Sequence, residues 1–188
     1  LVSGLVLNGW QRIKRVDANS LMSYGTQLQF KPNANITLNY STFIGTDKPD
    51  SVRLWRYFHN VYGIVNVTSK VGIIAGFDIG SEQKTKGSND FNTWYTPVLI
   101  LKYAVNSKWA IAARGEYYDD RYGVIIASGT PNGFKTAGYS LNVDYAPISN
   151  VVIRLEARTL NSKDDIFSTG NGVTNNNTFI TSSIAVSF

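Results

Sequence analysis

Thr181-Ser182-Ser183-Ile184-Ala185-Val186-Ser187-Phe188 closes the chain. Counting back in twos from Phe188 gives Val186, Ile184, Ser182 and Ile180, mostly apolar. Between them lie Ser187, Ala185, Ser183 and Thr181, all small or polar. Side chains of a strand point alternately to its two faces, so the segment reads as a period-2 strand with one greasy and one polar side.

The same alternation recurs along the chain and predicts ten strands, over 1–11, 20–30, 36–45, 53–68, 71–82, 91–104, 109–118, 136–146, 151–161 and 178–188. No helical period competes. The connections alternate in length: short at 31–35, 69–70, 105–108 and 147–150, long at 12–19, 46–52, 83–90, 119–135 and 162–177. Long-short alternation with an even strand count is the pattern of an up-and-down antiparallel β-barrel in one domain spanning 1–188, with both termini on the short-turn side. Greek-key sandwiches do not sort their loops in this way.

The two faces are chemically distinct. One carries Val71, Ile73, Phe77 and Ile79, then Leu99, Leu101 and Tyr103, then Trp109, Ile111 and Tyr117, then Tyr139, Leu141 and Val143, then Ile153 and Leu155. The charges of the same strands, Asp78, Lys102, Arg114, Glu116, Asp144, Arg154, Glu156 and Arg158, all fall on the other face, and Arg56 joins them from the preceding strand. Alternation alone does not say which face is outside. A lipocalin-like soluble barrel turns the apolar face inward; a membrane barrel turns it to lipid. Three features favour the membrane arrangement. Aromatics of the apolar face gather at the strand ends, with Phe30, Tyr103, Trp109, Tyr145 and Phe188 at one and Trp55, Tyr57 and Tyr117 at the other. Two such rings suit the two headgroup layers of a bilayer. The polar face is built from Gly72, Gly76, Gly80, Gly138, Ser140 and Asn142, where a solvated face favours Lys and Glu. Charged residues are 16% of the chain, below the roughly 25% of soluble domains. Pro97 on the apolar face lacks a ladder donor and predicts a bulge or a local slip of register.

Several chemistries are excluded or weakly supported. Cysteine is absent, so thiolate ligands, disulfides and Cys nucleophiles drop out. His59 is the only histidine and lies on the apolar face, which leaves zinc chemistry without a ligand set. Asp119-Asp120 and Asp164-Asp165 read as solvated loop charge, because no spaced calcium loop surrounds them. Gly170-Asn171-Gly172 and Asn175-Asn176-Asn177 read as a flexible outer loop. No G-x-S-x-G elbow occurs, and the expectation is neither enzyme nor cofactor nor metal. The net charge of +5 is scattered, with Arg12-Ile13-Lys14-Arg15 its densest stretch, which argues against nucleic acid as a partner.

Leu7-Asn-Gly-Trp-Gln11, Gly25-Thr-Gln-Leu-Gln-Phe-Lys-Pro-Asn33, Ser41-Thr-Phe-Ile-Gly45, Trp55-Arg-Tyr-Phe-His-Asn60 and Gly76-Phe-Asp-Ile-Gly80 together resemble the OmpL-like β-barrel porins common in Bacteroidetes outer membranes. The terminal Phe188 is similar to the signal that outer-membrane barrels present to their assembly machinery. The resemblance implies a diffusion pore in a bacterial outer membrane. It also implies a chain longer than this one, so the ten strands are either a whole barrel or the C-terminal part of a wider one.

Strand number bears on the pore. Eight strands are filled by their own side chains, whereas 16–18 leave an aqueous channel. The nine charged residues of the polar face (Arg56, Asp78, Lys102, Arg114, Glu116, Asp144, Arg154, Glu156, Arg158) are expected to line the lumen. They form either a wall-supporting ladder of ion pairs, the reading their balance favours, or a constriction with weak anion preference. Arg114, Arg154 and Arg158 are the residues expected to touch solute. The expected partners are the lipid bilayer and small polar solutes, with a homo-oligomer or an envelope-complex subunit as the assembly; a non-conducting scaffold barrel is the alternative.

Overall fold

The computed structural model describes residues 1–188 and is almost wholly strand. The elements are β1 (Val2–Leu7), β2 (Ser23–Asn33), β3 (Ile36–Gly45), β4 (Arg56–Asn66), β5 (Val71–Gln83), β6 (Phe91–Ala104), β7 (Trp109–Asp120), β8 (Phe134–Ile148), β9 (Val151–Ser162), β10 (Phe167–Thr169), β11 (Gly172–Thr174) and β12 (Asn176–Val186), with one 3₁₀ turn at Asp50–Val52. Ten of the strands form one sheet in the order β1-β2-β3-β4-β5-β6-β7-β8-β9-β12. Every neighbouring pair is antiparallel. The all-β up-and-down architecture is therefore the expected one. The sheet is not closed: β1 and β12 pair only with β2 and β9 and each keeps a free edge.

Three expectations are corrected. The first strand ends at Leu7, not near residue 11. Gly9 (φ 137°) and Gln11 (φ 52°) then swing the chain off the sheet. The 162–177 loop holds a small hairpin of its own, β10 against β11, turning at Gly170-Asn171-Gly172. The last strand stops at Val186, and Phe188 stands beyond it, fully exposed.

Prolines mark the irregularities. Pro32 and Pro147 sit at the two register shifts, between Phe30 and Asn33 and between Tyr145 and Ile148, each beside a short turn. Pro97 causes neither a bulge nor a slip. It pairs with Phe77 in an unbroken β5–β6 ladder, and the β6–β7 ladder skips it between Tyr95 and Val98 and resumes in the same register. The missing donor thus points at β7, and the cost is a two-residue gap in pairing.

Burial decides the orientation of the faces. Leu99 and Leu101 are each 47% exposed, Leu141 57% and Leu155 55%, all on the apolar side. On the polar side Arg56, Glu82, Asn39, Ser23, Asp120 and Thr136 are buried. The only buried large hydrophobic residues are Phe43 and Trp94, and both lie on the polar side. A lipocalin-like arrangement is the reverse of this. Ser41 on β3 and Tyr118 on β7 line one cavity, so the sheet curls with its polar face concave.

Candidate functional site

The concave face is organised around loops that fold back onto it. After the positive-φ turn at Gly9, Trp10 lies against Phe43, Phe58 and Trp94, with ring centroids 5.1, 4.6 and 6.4 Å away. These edge-to-face contacts are the favoured geometry of aromatic quadrupoles. A side chain at Gly9 would collide with Asp47 Oδ1, 2.4 Å from an added Cβ, so glycine is needed there twice over. The Trp10 N–H donates to the same oxygen at 2.9 Å.

Arg56 sits underneath. Its Nη1 donates to Asp47 Oδ2 at 3.0 Å, and its Nε and Nη2 donate to Glu82 Oε2 at 2.9 and 2.6 Å. The guanidinium carbon lies 5.9 Å from the Trp10 ring and 5.8 Å from the Trp94 ring, within cation–π reach. Trp94 in turn lies over Gly80, where an added Cβ would meet its Cζ2 at 2.1 Å. Cross-strand pairing creates this cluster: Arg56 faces Glu82, and Gly80 faces both Phe58 and Trp94.

Other loops are tied in the same manner. Asn19 Nδ2 donates to the Thr46 carbonyl at 3.0 Å. Asp50 accepts from the Ser20 N–H and from Arg53. These bonds draw its carboxyl down from 3.8 to about 2, the Arg53 bond contributing most. Lys86 donates to the Asp50 carbonyl and so links a third loop. Asp120 accepts three backbone N–H bonds, from Val124, Ile125 and Ile126 at 2.7–2.9 Å, which turns the 121–133 loop inward. Asp164 holds both the N–H and the Nδ2 of Asn132, and those bonds keep its carboxyl below the usual range. Asp119 pairs with Lys135 at 2.8 Å. Asp120 and Asp164 are therefore loop anchors held by amide donors, and Asp119 is one half of a cross-strand ion pair; none of the three is simply solvated charge.

The nine charged residues of the polar face separate into groups. Arg56 belongs to the buried cluster above. Asp78 accepts from Asn60 Nδ2 at 2.6 Å and has no cationic partner. Glu116 is shared by Arg114 and Arg158, one on each carboxylate oxygen. Asp144 takes a two-pronged contact from Arg154, at 2.6 and 2.7 Å. Lys102 and Glu156 join no ion pair. Three of the four arginines thus spend their planar forks on carboxylates of the wall, and Arg158 donates to Glu116 as well. His59, on the apolar face, stacks on Tyr40 and shares a 2.7 Å hydrogen bond with its hydroxyl. Sequence reasoning missed Trp10, Asp47, Glu82 and Trp94. Glu82 had a readable signal, since it has the parity of Asp78 and lies opposite Arg56.

A family model described as Putative beta-barrel porin-2, OmpL-like, matches residues 1–188. The chain belongs to this family. No curated protein and no solved structure matches it. The folded-in 8–22 loop covers part of the charge-lined concave face.

Proposed function

We propose that the chain forms the wall of an outer-membrane porin through which small polar solutes diffuse passively. The inverted burial carries this reading: exposed leucines on the convex face, buried arginine and carboxylates on the concave one. Such a surface is unstable in water and matched to lipid. Strands of 10–15 residues in β2 to β9 and β12 suit a tilted crossing, which takes roughly 9–11 residues. Exposed aromatics support the same placement, among them Phe30, Tyr103 and Trp109, the last stacked on a half-buried Tyr145 at the short-turn end. Arg114, Arg154 and Arg158 remain the proposed solute contacts, and Lys102, which joins no ion pair, stands near the short-turn end of the same face.

The test is swelling of liposomes containing the purified full-length protein. Entry of glucose and amino acids at rates falling with solute size supports the porin reading; swelling no faster than that of empty liposomes overturns it. A non-conducting scaffold is the second reading, and one observation favours it: Trp10, Arg56, Trp94, Phe43 and Phe58 pack together on the concave side beneath the long loops. Unit conductance in a planar bilayer separates the two readings.

A further inference from the structure

Beside the Trp10 cluster the concave face holds a chamber of about 460 Å³, within the size range of small-molecule sites. Trp10, Phe58 and Tyr118 supply aromatic walls, and Asn60, Asp78 and Thr96 supply polar groups. A smaller cavity of about 190 Å³ adjoins it and shares Tyr118 and Thr96. The smaller cavity also carries Glu116 and Arg158, joined to one another in an ion pair. Arg56, the nearest cation of the cluster, is consumed by Asp47 and Glu82. Asp78 offers a carboxylate oxygen that no protein group occupies.

Two hydroxyls stand beside these groups. Thr96 Oγ1 and Thr136 Oγ1 are buried and have no hydrogen-bond partner within the protein. Thr136 is only 3% exposed and lines the smaller cavity. An unpaired buried hydroxyl is costly, and valine would fill the same volume without that cost. Threonine at these positions makes sense when something polar visits the cavity.

We propose that this pair of cavities is a low-affinity binding site for a neutral, disaccharide-sized sugar. A sugar ring presents apolar C–H faces to aromatic walls, whose π-faces are negative, and donates hydroxyls to carboxylate, amide and threonine oxygens. An anion meets Asp78, and the two arginines nearby, Arg56 and Arg158, already hold carboxylates. Weak binding suits a conduit, because a solute must leave as readily as it enters. The inference deepens the porin reading, and its test is independent of transport.

The experiment is saturation-transfer NMR on the detergent-solubilised protein, with maltose, glutamate and choline as separate probes. Transfer to maltose at millimolar concentration, without transfer to glutamate or choline, is the expected result. Thr96→Val is expected to raise the thermal midpoint and to weaken maltose binding by about tenfold; Asp78→Asn weakens it while the barrel stays folded by its gel mobility. Absence of maltose transfer in the folded wild type overturns the proposal, as does preferential choline transfer or unchanged binding in Thr96→Val. Liposome swelling reads the porin function separately: swelling without maltose transfer removes only the sugar site, and maltose transfer without swelling removes only the pore.

Discussion

At Arg56 a permanent cation is held between two indole rings and two carboxylates, with its side chain 8% exposed. Burying an ion is costly, and the full set of partners offsets that cost. Removing Arg56 leaves Glu82 without a cation and Asp47 with Arg12 alone, 3.5 Å away, each carboxylate being about 10% exposed. Arg56→Met is therefore expected to destabilise the fold by about 3–5 kcal/mol, measured as a lower denaturant midpoint for loss of heat-modifiable gel mobility. An unchanged midpoint would show that the cluster contributes no net stability. Gly80→Ala acts on the same cluster from below. Its methyl would push Trp94 off its seat, and overpacking of this kind costs about 1–3 kcal/mol; the tryptophan emission should shift to the red. The sequence showed Arg56 as a lone inward charge. What it did not show is the company Arg56 keeps: Trp10 reaches it through the positive-φ turn at Gly9 and Gln11, and Asp47 from the loop after β3.

Strands were largely legible because each one alternates, and register then follows from hydrophobic parity. The test belongs to β8. Leu141, 57% exposed on the convex face, when changed to Arg should cost about 2–4 kcal/mol near the membrane midplane. Asn142→Arg, one residue on and facing the concave side, should be tolerated. Equal effects would contradict the facing of the whole sheet. Loops were less legible because their order comes from side chain to backbone bonds between distant segments, such as Asp50 with Ser20 and Asp164 with Asn132. These bonds make a pH prediction. The Asp50 carboxyl is depressed from 3.8 to about 2. Its contribution is thus fully present above about pH 4 and is lost as pH falls towards 2. Proteolysis within residues 8–22 should accelerate in that window with a pepsin-like enzyme, and Asp50→Asn should already be cleaved faster at pH 5. An identical cleavage rate in the two proteins at pH 5 would show that the tether does not hold the loop.

Taken as a whole, the molecule puts its greasy surface outside and its polar surface inside, on a sheet whose first and last strands keep free edges. Within a bilayer every backbone donor and acceptor must be satisfied, so the proposed location requires a pairing partner for the edges of β1 and β12. In the membrane-embedded protein, amide exchange along Asn176–Val186 is expected to be as slow as along Val151–Ser162; fast exchange confined to the outer edge of β12 would place that edge in water. The inversion was readable in advance from the charges of β5 to β9, which share one parity except for the Asp119–Lys135 pair at the strand ends. The open edges were not, because strand pairing between distant segments leaves no local pattern. The absence of cysteine makes the most direct measurement simple. Single cysteines at 98 to 101 in β6 and 139 to 142 in β8 would carry nitroxide labels in protein reconstituted into liposomes. Collision with oxygen, which concentrates in lipid, and with a water-soluble nickel chelate would then be read at each position. The account predicts oxygen maxima at 99, 101, 139 and 141 and nickel maxima at 98, 100, 140 and 142. The opposite phase, or no alternation, would contradict a lipid-facing convex surface and the porin reading built on it.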